Sequence, residues 1–132
     1  MARILIIDDD ELIRVSLGLL LESAGHTIVT AATGRAALAS LAATEVDLVV
    51  CDVFMPDMDG FETLRALKQR APALPVVVIS GDRAPRPDQP SPDFLKMAVD
   101  LGATAGLRKP FEPKAVKALV ARCLEDAKRT GG

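Results

Sequence analysis

The chain has 132 residues, of which 49% are hydrophobic and 26% charged, so it has the size and composition of one folded domain. Its net charge of −2 and its 3% of aromatic residues argue against a basic or base-stacking surface for nucleic acid. No apolar stretch approaches the ~20 residues of a membrane span, and the amino-terminal residues lack the pattern of a secretory signal. These features predict a cytoplasmic protein that binds neither nucleic acid nor membrane.

Strand and helix patterns alternate along the whole chain. Short apolar runs predict buried strands, and apolar residues at helical spacing predict amphipathic helices between them. The predicted strands are residues 4–7, 27–31, 48–51, 76–79 and 105–107. The predicted helices contain residues 12–20, 36–41, 61–67, 95–101 and 116–124. Two cysteines, Cys51 and Cys123, form no metal-binding pattern, and we expect both to be core thiols.

Several residues mark the ends of these elements. Thr33 is a predicted N-cap, while Gly25 and Gly102 follow predicted helices at the position where glycine commonly ends them. Residues 81–92 carry four prolines and predict an extended loop. Ser91 would then cap the helix that begins at the following proline.

Five strand–helix units with near-continuous apolar strands predict a doubly wound α/β fold with a parallel sheet covered on both faces. We expect one domain over residues 1–126 and a short flexible tail over 127–132.

Polar residues lie within two positions of the carboxyl ends of four of the predicted strands. These residues are Asp8, Asp9, Asp52, Ser80 and Lys109. The carboxyl edge of an open parallel sheet is where ligands bind, and this set of groups suits a phosphoryl group held with a divalent cation. Mg²⁺ prefers oxygen ligands, so we expect Asp9 and Asp52 to bind it directly and Asp8 to act through water. Taken alone, residues 8–10 would also fit a solvated turn that caps the first helix.

Four segments in chain order resemble the receiver domain of bacterial two-component response regulators, and in particular the stand-alone, chemotaxis-regulator-like type. They are residues 4–11, 51–60, 80–81 and 109–111. The resemblance implies a flavodoxin-like three-layer sandwich whose five strands have the order 2-1-3-4-5. It also implies a phosphoprotein of two-component signal transduction, which accepts a phosphoryl group from a histidine kinase or phosphotransfer protein.

The same resemblance assigns roles to the polar residues. Asp52 would be the phosphoacceptor, and Mg²⁺ would be held by Asp9, Asp52 and the backbone carbonyl of Phe54. Lys109 would contact the phosphoryl group, and Ser80 would be the hydroxyl that moves onto it. The chain would be a signalling domain rather than an enzyme, with at most slow self-dephosphorylation.

Three departures from the usual receiver pattern stand out. Gly106 occupies a position where the family often has an aromatic residue, whose rotamer follows the switch hydroxyl. The segment between Ser80 and Lys109 is longer than usual, with the extra length in the loop 81–92. Phe54, two residues after the phosphoacceptor, is apolar. We therefore expect the loop 81–92 and the helix after it to carry the switch signal, and the phosphorylated state to be long-lived.

Two other functions compete with this interpretation. A Mg²⁺-dependent phosphatase with an aspartyl nucleophile would usually place a second acid where Phe54 stands. A receiver that docks without phosphorylation is consistent with Gly106, although Asp9, Asp52, Ser80 and Lys109 are intact. In the leading interpretation the chain is a single-domain regulator that signals by contact with a downstream protein, and a weak homodimer is left open.

Overall fold

The computed structural model describes residues 2–52, 60–80, 94–108 and 111–130. Within these ranges, strands and helices alternate as the sequence predicts. The strands are β1 (Arg3–Ile7), β2 (Thr27–Ala31), β3 (Leu48–Asp52), β4 (Val76–Ser80) and β5 (Ala105–Arg108). The helices are α1 (Glu11–Ser23), α2 (Gly34–Ala43), α3 (Gly60–Arg70), α4 (Phe94–Asp100) and α5 (Pro113–Thr130).

Across the described residues, the five strands form one parallel sheet in the order β2-β1-β3-β4-β5. The doubly wound α/β fold and its strand order are therefore confirmed. Ile7 lies opposite Cys51 in the neighbouring strand, and Asp52 lies opposite Ile79. This register brings the carboxyl ends of β1, β3 and β4 to nearly the same level.

The core has two parts, one on each face of the sheet. Successive strand residues point to opposite faces, so each central strand feeds both parts. Buried residues of α2, α3 and α4 pack on one face with Leu5, Ile7, Val49, Cys51, Val76 and Val78. Buried residues of α1 and α5 pack on the other face with Ile4, Ile6, Leu48, Val50, Val77 and Ile79. Strands covered on both faces explain why their sequences are almost uniformly apolar.

The ends of the helices follow local chemistry. Thr33 caps α2 through its Oγ1, which accepts a hydrogen bond from the amide of Ala36 at 3.1 Å. Gly25 and Gly102 follow α1 and α4 with φ angles of 95° and 111°, a backbone region that glycine adopts without steric cost. These three predicted boundaries are confirmed. The predicted cap at Ser91 and the loop 81–92 lie outside the described residues.

The apolar residues of α1 do not all reach the core. Leu17 and Leu21 are buried, whereas Leu12, Val15 and Leu19 are 70%, 52% and 64% exposed. The helix carries more large apolar side chains than its buried face can accommodate, and the remainder form a stripe on the outer side. We call these three residues the α1 stripe.

Helix α5 extends further than the sequence analysis predicts. It runs to Thr130, so residues 127–130 of the expected tail are helical, and residues 131–132 lie outside the described residues. Ala127, Lys128 and Arg129 are good helix formers, and the two basic side chains lie at the helix end that favours positive charge. Both cysteines are buried free thiols, as expected. Among the described residues, no helix is both long and apolar enough to cross a membrane.

Candidate functional site

Three acidic side chains meet where β1 and β3 end. Because Ile7 lies opposite Cys51 in adjacent parallel strands, the next residues, Asp8 and Asp52, fall side by side. Asp9 follows at once in the connection to α1. One carboxylate oxygen from each of Asp8, Asp9 and Asp52 lies within 4.8 Å of the others. The predicted convergence of these acids is therefore present in the structure.

Burial makes this acidic cluster unusual. Asp8 is fully buried and Asp52 is 4% exposed, while Asp9 faces solvent. Like charges at such short distances disfavour one another, most strongly where water is excluded. A divalent cation would remove this repulsion, and three oxygen donors are ligands that suit a hard ion such as Mg²⁺. The residues present therefore fit a magnesium site.

Backbone contacts hold the connection between β1 and α1 in place. The amide of Asp8 donates to the carbonyl oxygen of Ala31 at 3.1 Å. Oδ1 of Asp8 accepts from the amide of Asp10 at 2.9 Å, and Oδ1 of Asp10 accepts from the amide of Leu12 at 2.9 Å. Asp10 is thus the N-cap of α1, so the capping alternative holds for Asp10 while Asp8 and Asp9 join the cluster.

Ser80 ends β4 and is 9% exposed. Asp52 lies opposite Ile79, so Ser80 is one residue beyond the level of Asp52 on the neighbouring strand. Ser80 in turn lies opposite Arg108, and Lys109 is the next residue in sequence. The predicted contributions of Lys109 and of the Phe54 carbonyl fall outside the described residues.

The thiol of Cys51 lies next to the acidic cluster but takes no part in it. Complete burial raises the pKa of this thiol, and the negative charges of Asp52 and Asp8 raise it further. The Sγ donates to the carbonyl oxygen of Asp52 at 3.4 Å. A thiol that stays protonated is a poor nucleophile and a poor metal ligand, so the carboxylates are the candidate ligands at this edge of the sheet.

Two features near the cluster were not predicted from the sequence. The Nη1 atom of Arg14 donates to the carbonyl oxygen of Asp8 at 2.6 Å. A groove with a volume of 340 Å³ lies beside it, between α1 and the edge strand β2, and two members of the α1 stripe, Val15 and Leu19, line it. Side chains on a helix point toward its amino end, which is the signal that could have placed Arg14 over the preceding turn.

Comparison with known proteins places this site in a family. A profile of the response regulator receiver domain matches residues 4–121. The chain is 33% identical over 119 residues to the alkaline phosphatase synthesis transcriptional regulatory protein PhoP of Bacillus subtilis, covering 89% of this chain and 46% of PhoP. It is 34% identical over 124 residues to the transcriptional regulatory protein FixJ of Bradyrhizobium diazoefficiens, covering 94% and 57%. The chain thus spans about half the length of these regulators, and only 24% of some others.

Solved structures give the same result. The chemotaxis protein CheY4 of Vibrio cholerae superposes with a TM-score of 0.80 at 32% identity, covering 93% of this chain and 98% of CheY4. A CheY-like receiver domain protein from Methanospirillum hungatei gives a TM-score of 0.86 at 27% identity, covering 98% of both chains. Taken with the strand order and the buried aspartates at the sheet edge, these matches show that the chain belongs to the response regulator receiver domains, the phosphoacceptor signalling domains of two-component systems.

Proposed function

We propose that Asp52 accepts a phosphoryl group from a histidine kinase or a phosphotransfer protein. The observation that carries this proposal is the convergence of the carboxylates of Asp8, Asp9 and Asp52 within 4.8 Å. Asp52 sits on a rigid central strand and is 4% exposed, so its position is fixed by the core rather than by a mobile loop. Receiver domains interact with such kinases and bind Mg²⁺ at their acidic pocket, which agrees with this assignment.

In the proposed reaction, a carboxylate oxygen of Asp52 attacks the phosphorus atom of a phosphohistidine. The bond from phosphorus to the imidazole nitrogen breaks, its electron pair leaves with the nitrogen, and an acyl phosphate forms on Asp52. Such transfers depend on in-line positioning and charge neutralisation more than on proton transfer. Bound Mg²⁺ would supply that neutralising charge, held directly by Asp9 and Asp52 and through water by Asp8.

Other residues complete the proposed site. The carbonyl oxygen of Phe54 would be a further metal ligand. Lys109 would contact the phosphoryl oxygens, and the Ser80 hydroxyl would donate a hydrogen bond to one of them. The position of Ser80, one residue beyond Asp52 on the adjacent strand, supports its part in this arrangement.

We also propose that the phosphoryl donor docks on the α1 stripe. Helix α1 begins directly after the acidic cluster, so a protein that covers Leu12, Val15 and Leu19 is held next to Asp52. Exposed apolar residues gathered on one helix face commonly mark protein-binding surfaces. Glu11, Glu22 and Arg14 border the adjoining groove. Their net charge is negative, so the docking face of the donor should be apolar with basic residues at its margin.

The docking proposal can be tested by comparing two phosphoryl donors. Leu19→Ser should slow transfer from the fastest histidine kinase of the source organism about tenfold and leave phosphorylation by acetyl phosphate unchanged. Leu101→Ser is the matched control, because Leu101 is also exposed, at 41%, but follows α4 at the opposite edge of the sheet. Equal rates from the kinase in both variants would contradict docking on α1.

Acetyl phosphate or beryllofluoride with Mg²⁺ tests the phosphoacceptor function itself. With acetyl phosphate at a low Mg²⁺ concentration, we expect stoichiometric modification of Asp52 by intact mass and peptide mapping, and none after Asp9→Asn at the same Mg²⁺ concentration. Repeated turnover of small phosphate esters would indicate the phosphatase. Absence of modification would indicate a receiver that docks without phosphorylation, a role that Gly106 leaves open because it lies in β5 where the family often has an aromatic residue.

We further propose that the chain acts as a single-domain regulator that signals by contact with a downstream protein. Its near-complete overlap with the receiver domain protein of Methanospirillum hungatei, 98% of both chains, supports this organisation. The intact mass of the protein isolated from its source organism tests it. A mass well above 14.0 kDa would indicate a further domain.

A further inference from the structure

Arg14 contacts the peptide group that joins two of the clustered acids. Its Nη1 atom donates to the carbonyl oxygen of Asp8 at 2.6 Å, and this carbonyl belongs to the peptide bond between Asp8 and Asp9. Arg14 lies three residues after the first residue of α1. Because helical side chains point toward the amino end of the helix, a long side chain at this position covers the turn before α1.

The strand ladder explains why the Asp8 carbonyl has a side-chain donor. The amide of Asp8 still pairs with the carbonyl of Ala31 at 3.1 Å, as in a parallel ladder. Strand β2 ends at Ala31, and Thr33 is already the N-cap of α2. The ladder therefore stops at the level of Asp8. At the Asp8 carbonyl, the guanidinium of Arg14 takes the place of the backbone amide that would donate if the ladder continued.

Asp8 is consequently held through all three of its polar groups. Its amide donates to Ala31, its Oδ1 accepts from the amide of Asp10 at 2.9 Å, and its carbonyl accepts from Arg14. The first two contacts fix Asp8 itself. The third fixes the plane of the peptide group after Asp8, and that plane sets the direction in which Asp9 leaves the strand.

We propose that Arg14 is a positioning residue for the divalent cation, an inference that rests on the proposed Mg²⁺ site. Holding the Asp8–Asp9 peptide keeps the exposed carboxylate of Asp9 directed toward the buried carboxylates of Asp8 and Asp52. Mg²⁺ requires near-octahedral geometry with short ligand distances, whereas Ca²⁺ accepts six to eight ligands in flexible geometry. Loosening this peptide therefore weakens binding of Mg²⁺ more than binding of Ca²⁺.

The charge of Arg14 acts in the opposite direction. A positive group near the acidic cluster repels any divalent cation, so removing it favours Mg²⁺ and Ca²⁺ alike, by a few-fold at most because the group is partly in solvent. Loss of a charge-assisted hydrogen bond has a larger effect. When Arg14 is replaced, the positioning role thus predicts a lower Mg²⁺ affinity and charge repulsion predicts a higher one, so a measurement of affinity distinguishes the two effects.

Arg14→Met removes the donor and the charge and keeps an apolar stem of similar shape. We expect its Mg²⁺ affinity, measured by isothermal titration calorimetry, to fall about fivefold, and its Ca²⁺ affinity to change less than about twofold. Arg14→Lys keeps a charged donor, and its Mg²⁺ affinity should stay within about twofold of the native protein. Arg14→Gln repeats the test with a polar residue if the methionine variant folds poorly by circular dichroism.

Arg70→Met is the matched control. The Nη1 atom of Arg70 donates to the carbonyl oxygen of Leu38 at 2.8 Å, so the substitution removes the same charge and the same kind of bond at the end of α3. Its Mg²⁺ affinity should be unchanged. Unchanged Mg²⁺ affinity in the Arg14→Met variant, or equal changes for Mg²⁺ and Ca²⁺, would overturn the positioning role. Failure of the native protein to bind Mg²⁺ would instead refute the proposed metal site.

Discussion

At the amino edge of the sheet, acidic and polar side chains accept hydrogen bonds from the backbone amides of neighbouring strands, whereas at the carboxyl edge three carboxylates face one another. Asp47, just before β3, accepts a hydrogen bond from the amide of Arg3 through Oδ2 at 2.8 Å, and its own amide donates to the Arg3 carbonyl at 2.8 Å. Thr104, just before β5, pairs with Val76 in the same way. Its Oγ1 accepts from the amide of Val76 at 3.1 Å, and its own amide donates to the Val76 carbonyl at 2.8 Å. The acids of the other edge converge within 4.8 Å.

The contrast separates residues that stabilise the fold from residues that serve the proposed function. At the amino edge each side chain of these pairs satisfies a backbone group that would otherwise lose its partner. At the carboxyl edge the arrangement brings like charges together, which costs stability unless a cation is bound. Substitutions at the amino edge should therefore lower stability and spare phosphorylation, and substitutions in the acidic cluster should do the reverse.

The largest effect is expected for Asp52→Asn. This variant should incorporate no phosphoryl group from acetyl phosphate, because the amide is not a nucleophile for phosphorus at neutral pH. Its melting temperature without Mg²⁺ should equal or exceed that of the native protein, because one of three mutually repelling carboxylates is neutralised. Mass spectrometry and thermal unfolding monitored by circular dichroism measure the two effects. A lower melting temperature would contradict the repulsion argument.

Asp47→Ala provides the comparison at the other edge. It removes the acceptor for the amide of Arg3 and should lower the free energy of unfolding by about 1 kcal/mol, while phosphorylation of Asp52 proceeds at the native rate. A change in that rate would show that the two edges are energetically coupled.

At the same edge, a loss of stability at least as large as that of Asp47→Ala is expected for Thr104→Val. Valine keeps the branched shape and removes the hydroxyl that accepts from the amide of Val76, a residue with no exposed surface. The free energy of unfolding should fall by about 1–2 kcal/mol, since a buried amide loses its side-chain partner. Thr30→Val, on the exposed edge strand β2, is the control and should change the stability by less than about 0.5 kcal/mol. Urea unfolding at constant Mg²⁺ measures both values.

The smallest effect concerns pH and the amino edge. Partial burial lowers the pKa of His26 below 6.5, and its Nδ1 accepts from the amide of Ala2 at 3.3 Å, so the fold favours the neutral ring. The unfolded chain then binds the proton more strongly, and stability decreases as pH falls from 6.5 through the lower pKa of the folded state. His26→Asn keeps an acceptor and removes the titration. Between pH 7.5 and 5.5, the melting temperature of this variant should fall by a degree or two less than that of the native protein. Identical pH profiles of the two proteins would contradict this role of His26.

Much of the fold could be predicted because each central strand is buried on both faces, and its uniform apolar run is hard to mistake. The acidic site followed from the same runs, since parallel strands deliver their last residues to one edge. The α1 stripe could not be predicted, because two overlapping apolar stripes on one helix give no indication of which faces the sheet. The hydrogen bond from Arg14 to Asp8 could be predicted only in part. The direction of helical side chains places Arg14 over the preceding turn, but the carbonyl that it meets depends on where β2 stops relative to β1.

The placement of the two thiols has an experimental consequence. Cys51 packs with α2, α3 and α4, and Cys123 packs with α1 and α5, so each sulfur is shielded by a different helical layer. Reaction of a thiol reagent with either cysteine requires that layer to open. The two native cysteines thus report separately on local opening of the two helical layers. Comparing their labelling rates with and without beryllofluoride would reveal in which layer a bound phosphoryl analogue suppresses this opening.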